Sequence, residues 1–161
     1  GQNNVEAMYR LGRLYYFDSG FHDPRRSFAW FLRAAEAGHG AARFFTGQAL
    51  VTGAGTERNI PSGVKWLEGC SHMIDAKIRL CEVYSGFRGK EHANPEKAFA
   101  HALEIYARHQ EKPYSGVFGK LALTALAPLA YCYEHGIGTA PDPARAVEIL
   151  KGAENEAQAC D

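Results

Sequence analysis

An internal repeat is the feature of this sequence that most limits its possible folds. The segment AMYRLGRLY, which begins at Ala7 and contains Gly12, returns 35 residues later as ARFFTGQAL around Gly47. Two looser copies follow, one from Ala76 to Tyr84 and one from Ala125 to Tyr133. In every copy small and apolar residues recur at the spacing of a helix. A period of about 35 residues predicts an array of helix pairs in which each pair packs on its neighbours.

A second helix is predicted downstream of each copy, because proline stands at each expected start. Asp and Asn accept hydrogen bonds from the free amides of a first helical turn, and proline is tolerated at the first helical position. The four starts are Asp23-Pro24, Ile60-Pro61, Asn94-Pro95 and Asp142-Pro143, three of which carry a capping side chain. The sequence therefore predicts an all-α fold, a right-handed α-solenoid of four helix-turn-helix repeats in one domain over residues 1–161. The predicted units are about 3–38, 39–72, 73–116 and 117–161.

Paired glycines follow the first helix of the second and fourth units, as Gly53 with Gly55 and Gly136 with Gly138. A nucleotide-binding loop requires a strand before its glycines, whereas a helix is predicted before these. Glycine readily takes positive φ where a helix ends and the chain reverses. We therefore interpret both segments as turns between helices and predict no bound cofactor.

These units resemble the Sel-1-like repeat (SLR) family, a relative of the tetratricopeptide repeats. The family pattern combines a leucine-glycine, a leucine-tyrosine, a glycine turn and a tryptophan-aromatic helix that ends in two alanines and a glycine. The first unit matches it at Leu11-Gly12, Leu14-Tyr15, Trp30-Phe31, Ala34-Ala35 and Gly38. The third unit departs most, since Cys81 replaces the helix glycine. The resemblance implies non-enzymatic scaffold and adaptor roles, commonly in bacteria.

Composition excludes several classes of partner. Eighteen basic side chains balance eighteen acidic ones and the pI is about 7.2, so no basic surface for nucleic acid is indicated. The longest uncharged run, Leu121 to Tyr133, is shorter than the roughly 20 residues that span a bilayer. We expect a soluble protein, either cytoplasmic or periplasmic. A start at Gly1 without methionine is compatible with a segment of a longer protein, whose targeting sequence would lie upstream.

No catalytic or metal-binding motif is evident. The four cysteines form no CxxC pair, which favours free and mostly buried thiols. Cys70 with His72 and Cys132 with His135 are the closest Cys–His pairs, but neither has further ligands at metal-site spacing. His101 and His109 are expected on a solvated helix face. An enzyme that uses His and Cys residues is the weakest of three functional hypotheses.

The leading hypothesis is a protein-interaction scaffold. By the resemblance to tetratricopeptide geometry, the first helix of each unit lines a concave surface, and aromatic and arginine side chains dominate binding hot spots. The competing interpretation is that Tyr9, Tyr16 and Phe44 only pack against the next repeat. The alternative function is a structural segment of a longer repeat array. The predicted residues for binding a peptide or protein partner are Tyr9, Arg13, Tyr16, Phe17, Phe44, Gln48, Glu82 and Tyr131, and the same pattern places Val51 on this surface.

The last unit carries an insertion. Its proline start follows the preceding one by 48 residues, against 37 and 34 earlier in the chain. The additional residues fall between Tyr106 and Leu121, around Tyr114. They either lengthen the helices or protrude as a loop, and a loop on a rigid scaffold often carries function.

Overall fold

The computed structural model describes residues 2–86, 89–111 and 119–158 of the chain. Across these residues the backbone forms eight α-helices, a single-turn 3-10 helix at Lys90–His92 and no β-strand. The prediction of eight helices is confirmed. The α-helices are α1 (Gln2–Phe17), α2 (Pro24–Glu36), α3 (Gly40–Thr52), α4 (Ile60–Glu68), α5 (Ile74–Tyr84), α6 (Pro95–Glu111), α7 (Gly119–His135) and α8 (Pro143–Gln158).

The chain divides into two compact units, Gly1–Ala76 and Lys77–Asp161. In unit 1, α1 packs against α2, α2 against α3 and α3 against α4. In unit 2, α6 packs against α7 and α7 against α8. Each unit is therefore built from helices that contact their neighbours in sequence, as the repeat pattern predicts. The single domain over 1–161, with its unit boundaries, stays a prediction.

Capping side chains fix the starts of the second helices. The Asp23 carboxylate accepts hydrogen bonds from the first-turn amides of α2 at 3.0 and 3.1 Å. Asn94 and Asp142 cap α6 and α8 in the same way, at 3.0 and 2.9 Å. The start of α4 is also capped, because the Asn59 side chain accepts from the Ser62 amide at 3.0 Å. The sequence pattern missed Asn59, since the cap lies one residue earlier than in the other units.

The two helices of each pair in unit 1 cross at small residues. The Ser27 hydroxyl on α2 is buried and donates to the Gly12 carbonyl oxygen on α1 at 3.0 Å. Between α3 and α4 the crossing is formed by two glycines, Gly47 and Gly63, with the side chains of Leu67 and Val51 packed beside them. A Cβ atom added to Gly63 would lie only 2.8 Å from the Gly47 carbonyl oxygen. Gly47 and Gly63 are therefore required by the close approach of the two helix backbones, whereas Gly12 is required by the Phe31 ring, which would lie 2.6 Å from a Cβ atom there.

The paired glycines form the turns that the sequence predicts. Gly53 and Gly55 have φ of +80° and +75°, and Gly136 and Gly138 have +65° and +70°. The second glycine of the first pair also contacts the preceding repeat, because a Cβ atom on Gly55 would lie 2.0 Å from the Pro24 carbonyl oxygen. These glycines therefore combine a left-handed backbone with a contact between repeats.

In unit 2 the helices that flank the insertion are long. α6 has 17 residues, whereas the second helices of unit 1, α2 and α4, have 13 and 9. α7 also has 17 residues, close to the 16 of α1. Part of the insertion therefore lengthens α6, and residues 112–118, which include Tyr114, lie outside the described residues. The expected solvated face of α6 is wrong for His109, which is buried and lines a small cavity with Leu126 and Ile149. The Cys81 thiol replaces the crossing glycine and donates to the Ala98 carbonyl at 3.3 Å.

Candidate functional site

A stack of aromatic rings joins the first two repeats of unit 1. Phe31 on α2 is 2% exposed, and its ring lies parallel to that of Phe45 on α3, with centroids 4.5 Å apart and an interplanar angle of 9°. Tyr9 and Tyr16 from α1 lean against both rings at centroid distances of 5.4–6.3 Å. Both tyrosines are half-buried, so they stabilise the stack and leave part of each ring accessible.

Phe17 carries this stack to the surface. Its ring is 60% exposed and makes edge contacts with Tyr16 at 4.6 Å and with Phe45 at 6.0 Å. The Arg13 guanidinium carbon lies 5.5 Å from the Phe17 centroid and 5.9 Å from that of Tyr9, within the range of a cation–π interaction. Arg13 and Phe17 thus form an exposed cation and ring that pack on the half-buried rings of Tyr9, Tyr16 and Phe45.

A hydrogen bond and a cavity lie beside this surface. The Gln48 side-chain amide on α3 donates to the Tyr16 hydroxyl on α1 at 3.2 Å. Next to this bond a cavity of about 340 Å³ has an apolar floor that includes Phe28 and Phe31, while Thr52 and the Gln48 amide bring polar groups to its wall. The cavity is large enough to hold one side chain of a partner.

His39 is an important residue that the sequence analysis did not identify. Its ring stacks on Tyr9 at 4.2 Å, and its Nδ1 accepts a hydrogen bond from the Ala42 amide at 3.2 Å, which caps α3. Because Nδ1 accepts, the network assigns the ring proton to Nε2, which lies 3.2 Å from a Glu6 carboxylate oxygen. The one available signal was the position of His39 immediately before a helix.

Glu6 is held in its charged form. Its carboxylate accepts a hydrogen bond from Arg10 Nε at 2.8 Å in addition to the one from His39. These two bonds, that from Arg10 first, lower the pKa of Glu6 below its usual value. The surface of α1 therefore keeps a carboxylate next to its guanidinium groups at neutral pH.

The predicted residues of unit 1 divide between packing and exposure. Phe44 is half-buried and touches the edge of Phe45 at 5.2 Å, while Arg13 and Phe17 are exposed. Val51 is fully buried, so its assignment to an accessible surface is wrong. The helix face of α3 that carries Val51 is occupied by packing. The part of the predicted surface in unit 1 that is open to a partner lies mainly on α1.

In unit 2 the two predicted residues are half-buried and engaged by neighbours on their own helices. Arg79 Nη1 donates to the Glu82 carboxylate at 2.7 Å. The Tyr131 ring lies 4.2 Å from that of His135, and His135 Nδ1 is 3.2 Å from the Tyr131 carbonyl oxygen. These contacts orient Glu82 and Tyr131, and their role in partner binding stays a prediction.

The cysteines of the described residues are packing groups. Cys70, Cys81 and Cys132 are free and buried, as predicted, and Cys160 lies outside the described residues. Burial raises the pKa of Cys132 to about 11 and raises that of Cys81 further, so both stay protonated thiols. Over the described ranges no three His, Cys, Asp or Glu side chains converge as a metal site would require.

Four stretches of the chain, residues 5–39, 40–68, 74–104 and 121–153, match the family model described as Sel1 repeat. A search of curated proteins finds no match. None of the helices, as far as the structure describes them, combines the length and the apolar composition needed to cross a bilayer.

Solved structures show the same fold. The crystal structure of a Sel1 repeat protein from Oxalobacter formigenes aligns over 98% of this chain with a TM-score of 0.69 and 25% identity. A protective antigen of uropathogenic Escherichia coli strains that displays an SLR fold aligns over 94% with a TM-score of 0.70 and 19% identity. The chain spans 62% of the first protein and 30% of the second. The all-helical fold and these neighbours identify an α-solenoid.

Proposed function

The chain belongs to the Sel1 repeat family, and on that basis we propose that it is a non-enzymatic scaffold whose unit 1 binds a peptide or protein partner. Sel1 repeats are generally protein-interaction scaffolds. The observation that carries the proposal is Phe17, which is 60% exposed and whose ring lies beneath the Arg13 guanidinium and against the half-buried rings of Tyr16 and Phe45. Such rigid aromatic and arginine groups provide binding hot spots because little conformational freedom is lost when a partner binds.

The binding surface that we propose is formed by α1 and α3. Phe17 and Arg13 offer apolar area and charge, and the partly accessible rings of Tyr9 and Phe44 extend this area. The cavity beside Gln48 is suited to an apolar side chain, since its walls are mostly carbon atoms. A peptide with an aromatic or aliphatic anchor and an acidic residue next to it has the complementary chemistry.

A peptide-display selection tests this proposal. A library of random peptides is selected on the immobilised chain, and the dissociation constants of the enriched peptides are measured by fluorescence polarisation. Replacement of Phe17 or Phe44 by alanine should weaken binding by about 2 kcal/mol each, which is about thirtyfold. Tyr9 is unsuitable as the primary variant because its ring stacks on His39 and supports the fold.

Lys65→Ala is the matched control, since Lys65 is exposed on α4 and belongs to neither α1 nor α3. This variant should bind the selected peptides as the unmodified chain does. Circular dichroism of each variant reports whether the helices are intact. Enriched peptides that bind equally well to the Phe17→Ala and Phe44→Ala variants would contradict the proposed surface, as would a selection that enriches no peptide.

A further inference from the structure

One face of α1 is open although it has the composition of an interface. We call this face, formed by Arg10, Arg13, Leu14 and Phe17, the α1 outer face. All four residues are exposed and line one shallow depression together with Asp18, whose carboxylate accepts a hydrogen bond from the Gly20 amide. Leu14 is 39% and Phe17 is 60% exposed, and they are among the most exposed large apolar side chains of the described residues. The two arginines flank this apolar area.

The repeat register shows what this face corresponds to in the second repeat. When Gly12 is aligned with Gly47, the α1 outer face corresponds to Phe45, Gln48, Ala49 and Thr52 of α3. Those α3 residues meet the preceding helix pair inside unit 1. Phe45 stacks on Phe31, and Gln48 donates to Tyr16. The α1 outer face is thus the surface that a preceding helix pair covers in the second repeat.

The last helix pair carries the complementary surface. Alignment of Ala130 with Gly12, and of Pro143 with Pro24, places Glu134 at the position of Tyr16 and Val147 at the position of Phe28. Glu134 is exposed, and Val147 is 49% exposed. In unit 1, α1 and α2 present an aromatic surface to α3. At the equivalent positions, α7 and α8 present a carboxylate and an aliphatic side chain.

The last pair also packs in the same manner as the pairs of unit 1. A Cβ atom on Gly138, in the turn after α7, would lie 2.3 Å from the Pro95 carbonyl oxygen at the start of α6. Gly55 has the same relation to Pro24 within unit 1. The contact between the turn and the preceding repeat is therefore equivalent in both units, which supports a transfer of the register from one to the other.

We propose that copies of this chain associate head to tail, with α7 and α8 of one copy covering the α1 outer face of the next. The register places Glu134 of the first copy against Arg13 of the second. These positions correspond to Tyr16 and Gln48, which meet within unit 1. The register also places Val147 of the first copy against Leu14 and Phe17 of the second. The charges are opposite and the apolar areas face each other, so the contact is complementary in both respects.

This contact uses two different surfaces, so an associated pair of copies still has one free surface of each kind. A heterologous contact that does not close into a ring produces open chains whose length depends on concentration. The α1 outer face shares Arg13 and Phe17 with the proposed peptide-binding surface, so head-to-tail association and peptide binding compete for these two residues.

Sedimentation equilibrium with a reciprocal charge exchange tests the proposal. The average mass of the 161-residue chain should rise steadily above 17.7 kDa as the concentration increases. Arg13→Glu and Glu134→Arg should each weaken association by about tenfold or more, because each places like charges together. A mixture of the two variants, or a chain with both changes, should restore association to within about threefold, since the ion pair is rebuilt with opposite polarity.

Arg25→Glu and Glu111→Arg are the control variants, since both positions are exposed and lie outside the two surfaces. They should leave the association unchanged. An average mass equal to that of a single chain at every concentration would overturn the proposal. The α1 outer face would then be the contact surface for another partner, such as a preceding repeat of a longer chain. Association that is insensitive to both reversals, or is not restored by their combination, would also overturn the proposal.

Discussion

Replacement of Gly55 by alanine should destabilise unit 1 far more than the same replacement at Gly53, two residues earlier. Both glycines have positive φ, which costs an alanine roughly 1–2 kcal/mol. Their surroundings differ. A Cβ atom on Gly53 has its nearest neighbour at 3.5 Å, whereas one on Gly55 would lie 2.0 Å from the Pro24 carbonyl oxygen.

The contact at Gly55 is with backbone, which cannot move aside as a flexible side chain would. Pro24 is the first residue of α2, and that helix start is fixed by the Asp23 cap. Forced overlap in a packed site costs about 1–3 kcal/mol. Gly55→Ala should therefore lower the free energy of unfolding by about 2–5 kcal/mol, and Gly53→Ala by about 1–2 kcal/mol.

Tryptophan fluorescence in a urea titration is the suitable assay. The two tryptophans of the chain, Trp30 and Trp66, both lie in unit 1, so their emission follows the unfolding of that unit. Equal m-values for the two variants would show that the comparison is of stability alone. If Gly53→Ala and Gly55→Ala lower the free energy of unfolding by the same amount, the contact between the turn and α2 is not a stabilising feature.

Three further predictions concern single side chains. His39→Ala should lower the stability of unit 1 by about 1–3 kcal/mol in the same titration, because it removes a helix cap and a stacked ring; no change would refute the role of the imidazole as a cap. Because the pKa of Glu6 is lowered in the folded chain, its contribution to stability is present above pH 4.5, the usual pKa, and is lost as the pH falls through the lower folded pKa. The free energy of unfolding of Glu6→Gln should therefore fall less steeply with decreasing pH than that of the unmodified chain. Cys81 and Cys132 should resist iodoacetamide at pH 8 in the folded protein and react in urea, as peptide mass spectrometry would measure, since burial keeps both thiols protonated; rapid labelling of the folded chain would contradict this.

The helices and their turns could be predicted because their signals are local. Asp23 and Pro24 act on the same turn of helix in which they stand, and the paired glycines act on the backbone at their own positions. Asn59 was missed because Ile60 separates it from Pro61, whereas in the other units the capping residue directly precedes the proline. His109 was misplaced because its burial depends on α7 and α8, which are distant in sequence.

The candidate site was predicted only in part for a related reason. Spacing along α1 predicts one accessible set, and of that set Arg13 and Phe17 are exposed whereas Tyr9 and Tyr16 pack against Phe31. The same spacing fails at Val51, because the covering of α3 depends on two neighbouring helices rather than one. His39 combines a cap on α3 with a stack and a carboxylate contact from α1, and no local pattern contains all three.

The small residues at the helix crossings mean that these repeats are not interchangeable modules for protein engineering. A chimera that moved α2 into the place of α4 would put the Ser27 side chain at the Gly63 position, where the opposing backbone leaves no room for a Cβ atom. Both helices of a repeat must be transplanted together, with their crossing residues treated as one inherited pair. Recombination points for arrays built from this chain therefore belong in the segments between helix pairs, such as the one that joins α2 to α3.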